Sequence, residues 1–198
     1  ELIKARSLNI PVIDRATLIG LIMKKYPYSI AISGTHGKTT TTSMITMIML
    51  ESGLDPTVHI GGELEYIGGT TRIGGNDYFV VEACEYCESF LKFYPYIAVM
   101  LNIEFDHADY FKDIEHIKNS FLKFAHLVPK GGYIVACADD VNISALLDKI
   151  TANKITFGIN SDKYTWSAND IFFDASGCAT YTLLNEGKKI DSVKINVP

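Results

Sequence analysis

The run Gly34-Thr35-His36-Gly37-Lys38-Thr39-Thr40-Thr41-Thr42 gathers the residue types that hold a polyphosphate. Glycines let the backbone approach a bulky anion, and the exposed N–H groups at a helix start, with the helix dipole, favour negative charge. Lys38 can reach the β- and γ-phosphates of a nucleoside triphosphate, and the Thr39 hydroxyl is placed to bind Mg²⁺. The usual spacing, G-x-x-x-x-G-K-[ST], asks for glycine at position 32, where this chain has Ile32. Gly34 supplies the flexibility two residues later. Gly34, Thr35, His36, Gly37, Lys38, Thr39 and Thr40 are therefore the candidate nucleotide-binding residues. The plainer alternative is a glycine turn before a helix, with Lys38 merely solvated.

Two more strand-like runs end in groups able to do chemistry: Val80-Val81-Glu82-Ala83-Cys84-Glu85 and Leu101-Asn102-Ile103-Glu104-Phe105-Asp106-His107. In open parallel sheets, ligands collect beyond the carboxyl ends of the strands. A transferring triphosphate must be neutralised by metal ions, and Mg²⁺ prefers hard oxygen ligands. Thr39 and Glu82 can hold one ion between them, and His107 can complete the shell of a second. Lys38, Glu82 and His107 are the candidate catalytic set; Thr39, Glu82 and His107 are the candidate metal ligands. Glu82 could instead serve as a cap or ion-pair carboxylate, and His107 as a hydrogen-bonded structural histidine. Cys84-Glu85-Tyr86-Cys87 is a CxxC, but a structural zinc normally needs four ligands, and Cys137 and Cys178 offer no second pair. His59, His116 and His126 read as surface or packing residues.

The elements that must position these groups follow from the apolar pattern. Buried strands are predicted at Ser29–Ser33, Tyr78–Ala83, Tyr96–Asn102, Tyr133–Cys137 and Lys154–Phe157. Helices are predicted at Ala16–Tyr26, Lys38–Ser52, Asp113–Leu127 and Val141–Ile150. The first of these places Leu18, Ile19, Ile22 and Met23 on one face, after a short β segment over Leu8–Ile13. Strands such as Tyr96-Ile97-Ala98-Val99-Met100-Leu101 are continuously apolar, which suits a sheet covered on both faces. The fold class is α/β, a doubly wound, mostly parallel sheet. The glycine-rich stretch Val58–Tyr78 reads as a hairpin excursion. After Asp162, Trp166–Asp174, Cys178–Asn185 and Lys188–Val197 alternate around Ser176-Gly177 and Glu186-Gly187, which predicts a small antiparallel β subdomain.

Bulk properties narrow the function classes. The 198 residues carry 18 basic and 23 acidic side chains, a net charge of −5, so electrostatics give no reason to expect a nucleic-acid partner. No apolar stretch approaches the roughly 18–20 residues that span a bilayer. The start lacks the pattern of a signal peptide. Four cysteines without framework spacing suit a reducing cytoplasm. The chain opens on Glu1, and residues 1–27 hold too little apolar content to fold alone. They read as the end of a preceding domain plus a connector, ahead of a nucleotide-binding domain over 28–198.

The Gly34–Thr42 loop, together with Glu82-Ala83-Cys84-Glu85-Tyr86-Cys87-Glu88-Ser89-Phe90-Leu91 and Asn102-Ile103-Glu104-Phe105-Asp106-His107-Ala108-Asp109-Tyr110, resembles the Mur ligases of bacterial cell-wall synthesis. The likeness runs from Ile10 to the end of the chain. His36 marks the branch of that family that adds L-alanine, or a recycled tripeptide, to UDP-N-acetylmuramate. The resemblance implies ATP-dependent amide formation through an acyl phosphate, with ATP and Mg²⁺ as cofactors. Thr39 and Glu82 match the family's first Mg²⁺ site, and His107 matches its second. It also implies that domains on either side are missing from this chain, so that alone it would at best bind nucleotide. Cys84 and Cys87 stand where the family often has aspartate. A non-catalytic nucleotide sensor is the alternative from outside enzymology.

Overall fold

The computed structural model describes residues 1–196; Val197, the predicted end of the last strand, lies outside that range. One mixed sheet organises the chain. Its strands are β1 (Tyr28–Ser33), β2 (Thr57–Leu64), β3 (Gly69–Arg72), β4 (Tyr78–Glu82), β5 (Ile97–Met100), β6 (Tyr133–Cys137), β7 (Asn153–Ile159), β8 (Trp166–Phe173), β9 (Ala179–Asn185) and β10 (Lys188–Lys194). They lie in the order β10-β9-β8-β7-β6-β5-β1-β4-β2-β3. From β1 the chain crosses to β2 and β3 at one edge, returns to β4 beside β1, then passes to β5 on the other side of β1 and continues outward to β10. β1 is thus the switch point, with Ile32 opposite Glu82 on one side and Ser33 opposite Met100 on the other. Crevices beyond the strand ends at such a point are where α/β sheets bind ligands.

Helices cover both faces, as the continuous apolar strands require. Alternate residues of each central strand serve opposite layers. Val80, Val99 and Ile32 face the layer of Ile45 and Met49 from α3 (Lys38–Glu51). Ala31, Val81, Ala98 and Met100 face the other layer, with Met23 from α2 (Arg15–Met23) and Ile117, Phe121 and Phe124 from α4 (Ile114–Ala125). Phe90 stacks on Phe124 at 4.6 Å and seats the segment after β4 on α4. Asp113 caps α4 by accepting from the His116 amide.

Several expectations change. Leu8–Ile13 forms no strand: it follows a short α1 (Leu2–Ser7), and Ile10, Val12 and Ile13 are exposed. A strand needs a ladder partner, and none of the sheet's strands pairs there. In α2 the buried positions are Gly20 and Met23, while Leu18 and Ile22 face outward. Gly20 is required by packing, since a Cβ there would lie 2.0 Å from the Lys92 carbonyl oxygen. The predicted helix over Val141–Ile150 stops at α5 (Val141–Ser144), followed by a 3-10 turn at Leu147–Lys149. Ile143, Leu146 and Ile150 are buried all the same. The hairpin excursion appears as β2 and β3, which pair antiparallel. The antiparallel run β8–β10 joins the main sheet edge-on, because β8 pairs parallel with β7.

Candidate active site

The Gly-Lys-Thr loop connects β1 to α3. Gly34 has φ 150° and Gly37 φ 78°, both in the region that favours glycine. A Cβ at Gly34 would lie 2.9 Å from Leu101 Cβ and 3.3 Å from the Asn102 amide, so any larger residue would push the loop off the β5 end. That end clamps the loop. The Thr35 amide donates to the Asn102 carbonyl at 3.1 Å. The Asn102 side chain accepts from the His36 amide at 2.8 Å and donates to the His36 carbonyl at 3.1 Å. Thr35 Oγ1 accepts from the Glu104 amide at 2.9 Å.

Of the loop amides expected to converge on a phosphate, those of Thr35 and His36 are thus engaged by Asn102. The amides left free to meet an anion are those of Gly37 and the first turn of α3, whose N–H groups have no intrahelical acceptor; Gly37 caps that helix without a side-chain bond. The His36 ring is exposed, with Nε2 3.6 Å from Glu104 Oε2, and Thr40 is exposed too.

Glu82, at the end of β4, meets Thr39. Its Oε2 accepts from Thr39 Oγ1 at 2.9 Å and from the Gly61 amide at 2.9 Å. Gly61 makes room: a Cβ there would fall 2.7 Å from both carboxylate oxygens. Hydroxyl and carboxylate together form a hard-oxygen pair that fits Mg²⁺, which takes one or two protein carboxylates and completes its shell with water and substrate phosphate. Among the described residues, no group of three or more His, Cys, Asp or Glu side chains forms a ready-made metal cage. An ion held largely by its substrate needs none.

Lys38 and His107 meet at a residue not singled out from the sequence, Glu85. Its carboxylate is 2% exposed and lies 3.0 Å from Lys38 Nζ and 3.8 Å from His107 Nε2. The Lys38 amine also donates to the carbonyls of Gly34 (2.6 Å) and Thr35 (3.0 Å). Two clusters therefore flank the loop: Thr39 with Glu82, and Lys38 with Glu85 and His107. His107 has φ 53° and packs on Tyr86 at 4.7 Å. Tyr86 donates to Asp109 at 2.7 Å, which pushes its phenol up to about 12.

Asp140 and Asn142 hold the β5 loop from behind, accepting from the Ile103 amide at 3.2 Å and donating to its carbonyl at 2.8 Å respectively. The spacing that places Glu85 three residues after Glu82 was a readable signal. The clamp by Asn102, Asp140 and Asn142 had none. All four cysteines are free thiols, and burial pushes the Cys84 thiol up, away from reactive thiolate. Among the histidines read as packing or surface residues, His126 is exposed and His116 half-buried, whereas His59 bonds to Arg15 and Thr71.

The family profile described as "Mur ligase middle domain" matches residues 32–198. A UDP-N-acetylmuramate–L-alanine ligase of Acetivibrio thermocellus is 65% identical over 198 residues, 100% of this chain and 42% of that protein. The chain thus spans about two fifths of the length of the curated relatives it matches. The crystal structure of a UDP-N-acetylmuramate:L-alanyl-gamma-D-glutamyl-meso-diaminopimelate ligase from Neisseria meningitides superposes with a TM-score of 0.82 at 27% identity, covering 100% of this chain and 64% of that one. A UDP-N-acetylmuramate-alanine ligase from Thermotoga maritima gives 0.83 at 24% identity, covering 99% and 43%, and speaks to the fold alone.

Proposed function

This chain belongs to the Mur ligase family, and from that premise we propose that its parent protein is an ATP-dependent ligase joining L-alanine to the lactyl carboxylate of UDP-N-acetylmuramate. The chain supplies the central nucleotide-binding domain, residues 28–198, with residues 1–27 leading into it from a preceding domain. In this reading the γ-phosphoryl group passes to the carboxylate, the alanine amine attacks the acyl phosphate, and phosphate leaves. The setting is peptidoglycan precursor synthesis in the cytoplasm.

The observation that carries the reading is the placement of Lys38 and Thr39 at the start of α3, with Glu85 and Glu82 opposite them at 3.0 and 2.9 Å. Lys38 and the first-turn amides hold the terminal phosphoryl and offset the charge that spreads over its oxygens during transfer. Glu85 keeps the ammonium aimed. Asn102 fixes the loop, so the cradle is preorganised before substrate arrives. Mg²⁺ held by Thr39 and Glu82 would neutralise the triphosphate, and His107 would serve a second ion.

The test is turnover by the full-length protein with ATP, Mg²⁺, UDP-N-acetylmuramate and either L-alanine or the tripeptide. Faster turnover with L-alanine is expected. The Neisseria superposition favours the tripeptide-adding ligase as the second reading, and faster turnover with tripeptide would select it. No product with either would leave nucleotide sensing as the function.

A further inference from the structure

A cavity of about 210 Å³ opens beside Glu82, between α2 and the segment after β4; Arg15, Ile19, Tyr86 and Ser89 share its lining. Arg15 is the one cation among these lining side chains. It lies outside the matched span 32–198, in the stretch read from sequence as the end of a preceding domain plus a connector. Helix α2 is nevertheless firmly seated. Met23 is fully buried, Gly20 presses its backbone on the Lys92 carbonyl, and Asp14 pairs with Lys92 at 2.8 Å.

The way Arg15 is held sets its chemistry. Its Nη2 lies 2.6 Å from His59 Nε2, and His59 Nδ1 lies 2.9 Å from Thr71 Oγ1. A guanidinium can only donate, so Nε2 accepts and the ring is neutral, with its proton on Nδ1 toward Thr71. Burial first, and then the neighbouring guanidinium, hold His59 below the ordinary imidazole range, in line with that tautomer. The adjacent acid, Asp14, is spent on Lys92 and on capping α2 through the Thr17 amide. Among the described residues no carboxylate pairs with Arg15, whereas Arg72 pairs with Asp55 at 2.6 Å. A guanidinium fixed by a neutral acceptor keeps its full charge and most of its donors for something else. Its planar fork matches a carboxylate or a phosphate.

We propose that Arg15, positioned by His59, binds an oxyanion of the acceptor substrate beside the phosphoryl-transfer site: the carboxylate to be activated or the diphosphate that accompanies it. The proposal rests on the ligase reading above and adds the residue that receives the acceptor. Arg15 is the binding residue; His59 acts through it.

The experiment is calorimetry on the full-length protein. UDP-N-acetylmuramate binding and ATP binding are each measured for wild type, Arg15→Ala, Arg15→Lys, His59→Ala and His59→Gln. Arg15→Ala is expected to weaken acceptor binding about 10- to 100-fold while ATP affinity stays within about twofold. Arg15→Lys recovers part of the loss, because an ammonium cannot fork. His59→Ala weakens acceptor binding a few-fold, and His59→Gln, which keeps an acceptor atom, restores it.

UDP-N-acetylglucosamine, with the same diphosphate and no lactyl carboxylate, separates the two sources. A loss confined to the muramate form assigns the carboxylate, and an equal loss for both assigns the diphosphate. Acceptor binding unchanged in Arg15→Ala would overturn the proposal, as would an equal loss of ATP binding, which would mark Arg15 as structural. A Lys38→Ala variant keeps the two failures apart. ATP binding indifferent to Lys38 breaks the ligase reading, whereas Lys38-dependent ATP binding with Arg15-indifferent acceptor binding breaks this proposal alone.

Discussion

The ends of β4, β1 and β5 and the hairpins of β8–β10 are both made of short β runs, yet they are held in opposite ways. At the strand ends, side chains reach across the fold: Ser33 to the Val99 carbonyl, His36 to Asn102, Thr39 to Glu82 and Glu82 to the Gly61 amide, between 21 and 66 positions apart. Glu85 is buried there against Lys38. In the hairpins the pairing is sequential, turned by Glu186 and Gly187 at positive φ, and Phe172 and Phe173 are 70% and 72% exposed. The strand ends around the Gly-Lys-Thr loop are built from long-range bonds, while local turns suffice for the sheet's outer wing.

The sharpest way to break this contrast is to remove Glu85. Glu85→Ala strands the largely buried Lys38 ammonium, and we expect a loss of about 2–4 kcal/mol in denaturant unfolding. Lys38→Met in the same background should return most of it. A stability equal to wild type would show that the pair does not lock the loop. Asn102→Ala removes two bonds to the loop and should cost about 1–2 kcal/mol and raise KM for ATP; an unchanged KM would deny the clamp.

Glu88 tests the next layer out, since its carboxylate accepts from Ser120 at 2.6 Å and Lys123 at 2.9 Å. The Ser120 hydroxyl first, and then Lys123, hold it below the usual carboxylate range. A group whose folded value is depressed stabilises fully above its unfolded value and loses that contribution as pH falls through the folded one. Thermal melts from pH 6 downward should therefore show less acid destabilisation in Glu88→Gln than in wild type. Parallel curves would sink the assignment. Phe172→Ser, in the wing, should change stability by less than about 0.5 kcal/mol; a larger loss would erase the distinction between the two regions.

The same contrast explains what could be read from the chain. The strands at Ser29–Ser33, Tyr78–Ala83 and Tyr133–Cys137, the helices that became α3 and α4, and the antiparallel alternation after Asp162 were all legible, because period and turn residues are local signals. Three residues carrying the polar groups at the strand ends were legible too, since they follow apolar runs: Lys38, Glu82 and His107. What failed was partnership. Nothing near Glu85 says that it pairs with Lys38, and nothing near Asn102 says that it holds His36. Helix α2 was placed correctly and its predicted face was half right: Met23 and Ile19 pack on the core, while Leu18 and Ile22 are exposed and Gly20 takes a contact by being small, which a hydrophobic count cannot register. Leu8–Ile13 has strand composition without a strand to pair with. Arg15 was passed over because its partner, His59, lies far along the chain.

If Lys38 and the first turn of α3 grip a nucleotide's terminal phosphoryl, as proposed, nucleotide affinity must depend on the Lys38 ammonium. Calorimetric titration of the chain with ATP and Mg²⁺, wild type against Lys38→Ala, tests it most directly. A loss of affinity of about tenfold or more is expected in the variant. Equal affinity in the two proteins would contradict it.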